Sequence, residues 1–277
     1  MIPAELAIAR FRRDLAFGTA LKGLLLAAAL LAVFAQTIFT QLAAAPSVAL
    51  AAIGILWLVL SYHSMKNTRL AALSPALIAS GQYEQAELHI DQALRSFTLF
   101  RAAKFRTLHY LAVLRQAEKR HAEAALLCHA LLAQRLGGAP DLQRSARLIL
   151  ADCALELGDL PATYHALTEL YQQRLALSEA LDLQAIQTDY LSRIGAWREM
   201  VRDIGRKVQL AELMPTAKSA RTQALQALAC RKTGQTAWES YLRRRVELLA
   251  DVGELSGSQP LLLELWDTAT TDAGGAR

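Results

Sequence analysis

The sequence predicts an all-α protein: an N-terminal hairpin of two transmembrane helices, then an α-solenoid of about five helix-turn-helix units. Three observations carry this expectation. Ala and Leu dominate a chain that is 53% hydrophobic but only 6% aromatic, and both residues lose little freedom in a helix. Two long apolar runs stand near the N-terminus. Beyond them, apolar residues recur at three- and four-residue spacing, broken by short Gly or basic turns. That is the pattern of stacked amphipathic helices.

The first run is FGTALKGLLLAAALLAVFAQTIF, from Phe17 to Phe39, and its one charge is Lys22. A Lys near the end of a span can extend its stem to the interface. A bilayer core about 30 Å thick needs about 20 apolar residues, so the run is long enough. The second run, LAAAPSVALAAIGILWLVLSY, covers Leu42 to Tyr62. Trp57 and Tyr62 suit the interfacial belt. An uncharged connection around Thr40 to Pro46 forces a tight antiparallel hairpin. Arg10, Arg12 and Arg13 precede the first span, and Lys66 and Arg69 follow the second. The positive-inside rule therefore places both termini and the solenoid in the cytoplasm. A cleaved signal peptide is the alternative for the first run, but that run is longer than a usual signal core and a second span follows at once. A helix apolar all round needs lipid or a very large core.

Residues 1–16 thus read as a cytoplasmic N-terminal segment, 17–62 as the hairpin, 63–266 as the solenoid with its cap, and 267–277 as a disordered tail. Within the solenoid, five turn segments align: GQYEQAELHIDQAL from Gly81, KRHAEAALLCHALL from Lys119, GDLPATYHALTELY from Gly158, GAWREMVRDIGRKV from Gly195 and GQTAWESYLRRRVE from Gly234. Their anchors lie about 38 residues apart.

On these residues the chain resembles the tetratricopeptide repeat family in a membrane-anchored bacterial form. The first unit matches best, with Gly81, Tyr83, Ala86, Ile90 and Ala93 at the turn, aromatic, small and apolar positions. Gly ends the helix, Tyr83 is expected to fill the gap between paired helices, and the alanines allow close approach. Lys119 replaces the glycine of the second unit, and Glu239 stands at a small position of the fifth, so the resemblance fades toward the C-terminus. The stretch SQPLLLELW, from Ser258 to Trp266, suits a terminal cap.

The resemblance implies a superhelix whose first helices line a concave groove. On that register the groove presents Arg106, His109 and Gln116, then Asp152 and Glu156, then Asp189 and Arg193, then Arg221, Arg231 and Lys232. It is mixed and polar, with an acidic middle and a basic far end. Such a surface suits a peptide or a helix of a protein partner.

Net charge is +5, of which the first 22 residues supply +2, and the rest is interspersed. This balance excludes a nucleic-acid partner. No phosphate-cradling loop, dinucleotide fingerprint, HExxH or nucleophile elbow occurs. His121, Cys128 and His129 are seven and eight residues apart, too far for one ion. The expectation is a non-catalytic scaffold or adapter with no cofactor, metal or small-molecule substrate. The alternative is an obligate structural subunit of a larger membrane assembly. In layout the chain is similar to bacterial inner-membrane repeat proteins linked to haem biosynthesis.

Overall fold

A computed structural model describes residues 2–38, 44–96, 98, 100–134 and 139–266, which hold helices and no strand. The helices are α1 (Ala4–Ile38), α2 (Ala44–Ala71), α3 (Ser74–Ala79), α4 (Tyr83–Arg95), α5 (Arg101–Ala117), α6 (His121–Leu132) and α7 (Pro140–Glu156). They continue with α8 (Leu160–Tyr171), α9 (Leu177–Arg193), α10 (Trp197–Val201), α11 (Ile204–Glu212), α12 (Thr216–Lys232), α13 (Thr236–Leu249), α14 (Val252–Ser258) and α15 (Leu263–Trp266). Two compact units divide the chain, Met1–Leu157 and Gly158–Arg277. The connection between the apolar runs falls partly outside the described residues, at 39–43, as does the whole tail at 267–277.

The five aligned turn positions share one backbone state. Gly81, Gly158, Gly195 and Gly234 have φ of 77°, 77°, 70° and 77°, and Lys119 has 61°. At four of them the next residue's N–H reaches back five residues: Gln82 to Leu77 O (2.9 Å), Arg120 to Arg115 O (2.8 Å), Ala196 to Leu191 O (2.9 Å) and Gln235 to Cys230 O (2.8 Å). This left-handed wrap satisfies carbonyls that the ending helix leaves orphaned. The repeat-like register is thus written in the turns. Lys119 holds the same state with a Cβ, at a cost of about 1–2 kcal/mol. Lys119→Gly is therefore expected to raise stability by about 1 kcal/mol, and Gly234→Ala to lower it by a similar amount, in thermal melts of the full chain.

In the first unit, α4 to α7 bury Ala86, Ile90, Leu94, Leu108, Leu111, Leu127, Leu131 and Cys153 in one core. The small residues Ala86, Ala93 and Ala124 are 0–4% exposed, as close helix approach requires. Tyr83 stays 36% exposed and does not plug a gap between helices. The core has a further member that the sequence pattern had assigned elsewhere. Ile2, Ala4, Ala7, Ile8 and Phe11 all pack into it, and Phe11 meets Phe105 with ring centroids 5.5 Å apart. Positions 4, 7, 8 and 11 form one helical stripe. Ile2 and the first part of α1, residues 4–16, thus pack one face into the core, and α1 touches α4, α5 and α6.

Beyond that half the same helix changes character. Leu24, Leu26, Leu30, Leu31 and Phe34 are 62–68% exposed. Over Ala4–Phe34, α1 is long and apolar enough to cross a membrane, and its most apolar window is only 11% buried. The second run appears as a shorter apolar stretch, Leu50–Tyr62 of α2.

In the second unit, α12 is the central helix, with Ala220, Ala224, Leu225, Leu228 and Ala229 at 0–1% exposure. The C-terminal segment covers it: Leu262 and Leu265 are fully buried against α12 and its neighbours. The fourth aligned segment breaks in two. Arg202 is extended and Asp203 takes φ 54°, ending α10 and starting α11. Lys207 Nζ donates to Glu199 O (2.7 Å) and Met200 O (3.2 Å), serving carbonyls at the broken end.

Candidate functional site

The first helices of successive hairpins carry polar ladders. In the first unit, α5 and α7 lie side by side. His109 Nε2 is 2.8 Å from Ser145 Oγ, and Gln116 Nε2 donates to Asp152 Oδ2 at 2.5 Å. Both pairs span 36 residues, one repeat, and stand two turns apart along the helices. Arg106 is exposed one turn before His109, and Glu156 is exposed one turn beyond Asp152. The strip therefore runs from cationic to acidic.

Burial lowers the His109 pKa to about 4, so the ring is neutral at physiological pH. It acts here as a hydrogen-bonding group and adds no positive charge to the strip. The unfolded chain would protonate nearer 6.5, so unfolding takes up a proton between the two values. Stability contributed by neutral His109 is thus complete above 6.5 and is lost as pH falls toward 4. NMR titration is expected to show no imidazole protonation above about pH 5.

In the second unit the ladder joins α9 and α12. Lys218 Nζ is 2.6 Å from Asp182 Oδ1, and Arg221 pairs with Asp189. Asp189 is 5% exposed. Arg193 at 3.3 Å and Gln259 Nε2 at 3.0 Å also converge on it. A buried carboxylate with this many donors is a brace between helices. Arg231 donates to the Glu264 carbonyl and Lys232 pairs with the Glu264 carboxylate. The basic end read from the sequence is therefore engaged by α15. Of the ten groove residues, Arg106, His109, Gln116, Asp152 and Glu156 form one strip on the first unit. Asp189, Arg193 and Arg221 cluster on the second, and Arg231 and Lys232 bind its cap.

The sequence pattern missed the most constrained polar groups. Arg115 is fully buried. Its guanidinium donates to Glu87 (2.6 Å), Glu118 (2.6 Å) and Ile2 O (2.9 Å), with Glu123 at 3.4 Å. The Ile2 N–H donates to Glu87 at 2.7 Å. Lys104, 1% exposed, binds Asp14 at 2.6 Å and the Ala93, Leu94 and Ser96 carbonyls at the end of α4. A cation there also meets the negative end of the helix dipole. Arg10 adds a bond to Asp91 at 3.2 Å. These cations clamp the first half of α1 onto the hairpins. The available signal was their placement on the apolar stripe of α5, at 104, 108, 111 and 115.

The three thiols are buried in the cores. Burial pushes Cys153 up to about 12 and Cys230 up to about 11, and Cys128 higher still, so each is a protonated thiol.

No family model, curated protein or solved structure matches the chain.

Proposed function

We propose that the protein is a non-catalytic, membrane-anchored scaffold that holds protein partners on a tetratricopeptide-like stack of helical hairpins. The observation that carries this reading is the two-part α1. Its first half is clamped into the hairpin core, and its second half leaves that core as an exposed apolar rod. Large exposed apolar surface of this kind marks a membrane or protein contact. A core helix of a water-soluble globule would be mostly buried. A cleaved signal peptide would take Ile2, Ile8 and Phe11 out of the core with it.

The apolar stretch of α2 completes a two-helix stalk, and α1 and α2 touch. Flanking arginines and lysines favour hairpins on the cytoplasmic side, and the layout shared with bacterial inner-membrane repeat proteins suggests that membrane. Anchoring raises the effective concentration of a bound partner near other membrane proteins, which suits assembly or stabilisation of a membrane complex. The strip from Arg106 to Glu156 is the surface assigned to that partner.

Affinity purification of the full chain in mild detergent tests the reading. A scaffold recovers membrane proteins below stoichiometry, and Arg106→Glu with Glu156→Arg abolishes their recovery. A fixed stoichiometric complex that ignores both charge reversals contradicts it and indicates an obligate subunit.

A further inference from the structure

The point where α1 leaves the hairpin core holds a wide-open surface cavity of about 600 Å³. Arg12, Thr19, Arg101 and Gln134 supply its polar lining, and Leu15, Ala16 and Ala20 its apolar lining. Among the described residues no carboxylate lines it. Three neighbouring cations are already committed: Arg10 to Asp91, Arg13 to Asp14 and Lys104 to Asp14. Arg12 has no ion pair among the described residues. The Arg101 guanidinium carbon lies 5.1 Å from the Phe105 ring centroid, a cation–π contact that uses none of its five N–H donors. Arg101 also begins α5, whose N-terminus carries no side-chain cap, so the positive end of that helix adds to the same site.

The face of α1 that lines the cavity does not stop there. Arg12, Ala16 and Thr19 continue at helical spacing into Gly23, Leu26, Leu30 and Phe34. Leu26, Leu30 and Phe34 are 66%, 62% and 64% exposed. Gly23 leaves a notch with nothing within 4 Å of where a Cβ would stand. At 1.5 Å per residue, Thr19 to Leu30 rises about 16 Å, one leaflet of a bilayer core about 30 Å thick. A cationic cavity thus opens onto an apolar track of leaflet length.

We propose that this cavity is a binding site for one anionic phospholipid, its phosphate held by Arg12 and Arg101 and an acyl chain laid along Gly23, Leu26 and Leu30. The inference rests on the membrane reading of α1. Paired guanidiniums suit a phosphate, which they can hold by parallel N–H bonds. The bound lipid fixes the depth at which the hairpin stack sits on the membrane surface.

Native mass spectrometry of the full chain in neutral detergent tests this with phosphatidylglycerol and phosphatidylcholine. One phosphatidylglycerol is expected to be retained in preference to phosphatidylcholine. Arg12→Gln with Arg101→Gln is expected to weaken its retention about 30-fold, at roughly fivefold per arginine near the membrane surface. Arg12→Gln alone, which leaves the Arg101–Phe105 contact intact, gives the intermediate value. Arg13→Gln, a side chain 75% exposed, leaves retention unchanged. Equal retention of the two lipids, or no loss in the double variant, overturns the assignment. Displacement of phosphatidylglycerol by millimolar inorganic phosphate also overturns it, by showing a site for a soluble anion. Alkaline carbonate extraction of membranes separates the two levels. Release of the protein ends the membrane reading itself, whereas retention without lipid preference ends the lipid site alone.

Discussion

Arg115→Met is expected to destabilise the first unit by about 3–5 kcal/mol, the cost of removing one partner from a buried ion cluster. Methionine keeps the apolar stem but stops short of the guanidinium, so a small void adds to a loss that is mainly electrostatic. Glu87 would keep its desolvated setting and lose the guanidinium 2.6 Å away, while the Ile2 carbonyl would lose its donor. Hydrogen exchange reads the change unit by unit. Amides of α5 should exchange roughly two to four orders of magnitude faster, at about 1.4 kcal/mol per tenfold, with those of α12 unchanged.

The same variant should alter the acid response. Burial alone raises the Glu87 pKa, but the bonds from Arg115 and the Ile2 N–H outweigh it and bring the net value below the ordinary 4.5. A carboxyl with a depressed folded pKa stabilises fully above its unfolded value, and that stability is lost as pH falls through the folded value. Wild-type protein should therefore lose Glu87-linked stability as pH falls below 4.5. With Arg115 gone, burial dominates, and protonation of Glu87 should relieve the variant. Identical acid profiles of the two proteins would contradict this account.

Phe11→Ala is expected to cost about 3–5 kcal/mol, the usual loss for a large aromatic removed from a packed core. Phe11 is 1% exposed and tilts against Phe105. A solvated segment ahead of a membrane span would tolerate the change within about 0.5 kcal/mol. Phe11→Leu should recover most of the loss, because volume rather than aromaticity fills the site. Melting of the full chain in detergent distinguishes these outcomes.

These two predictions concern residues whose role the sequence concealed, and the reason is physical. The stripe Ala4, Ala7, Ile8 and Phe11 is short and interrupted by Arg10, Arg12 and Arg13, so a flank of basic charge is its most visible feature. Which carboxylates those arginines meet depends on residues such as Asp91, 81 positions away. The turns were legible because a left-handed residue favours Gly, and the 38-residue spacing pointed even to Lys119 as the substitute. The helical character followed from Ala and Leu. The break at Arg202 and Asp203 carried no such mark, since neither residue breaks helices by propensity. For the groove, helix register placed His109 and Gln116 on one strip, but their bonds to Ser145 and Asp152 come from the next repeat. The capture of Arg231 and Lys232 by Glu264 came from a cap whose docking direction no local pattern encodes.

Nitroxide accessibility in liposomes tests most directly the central claim, that one helix runs from a packed hairpin core into lipid. Labels go on Leu30→Cys and Leu157→Cys in the full chain, and the native thiols do not compete because they are buried and protonated. The account predicts that the Leu30 label collides with oxygen and is shielded from a water-soluble nickel relaxant, while the Leu157 label shows the reverse. Equal nickel access at both positions would place the apolar half of α1 in water and contradict it.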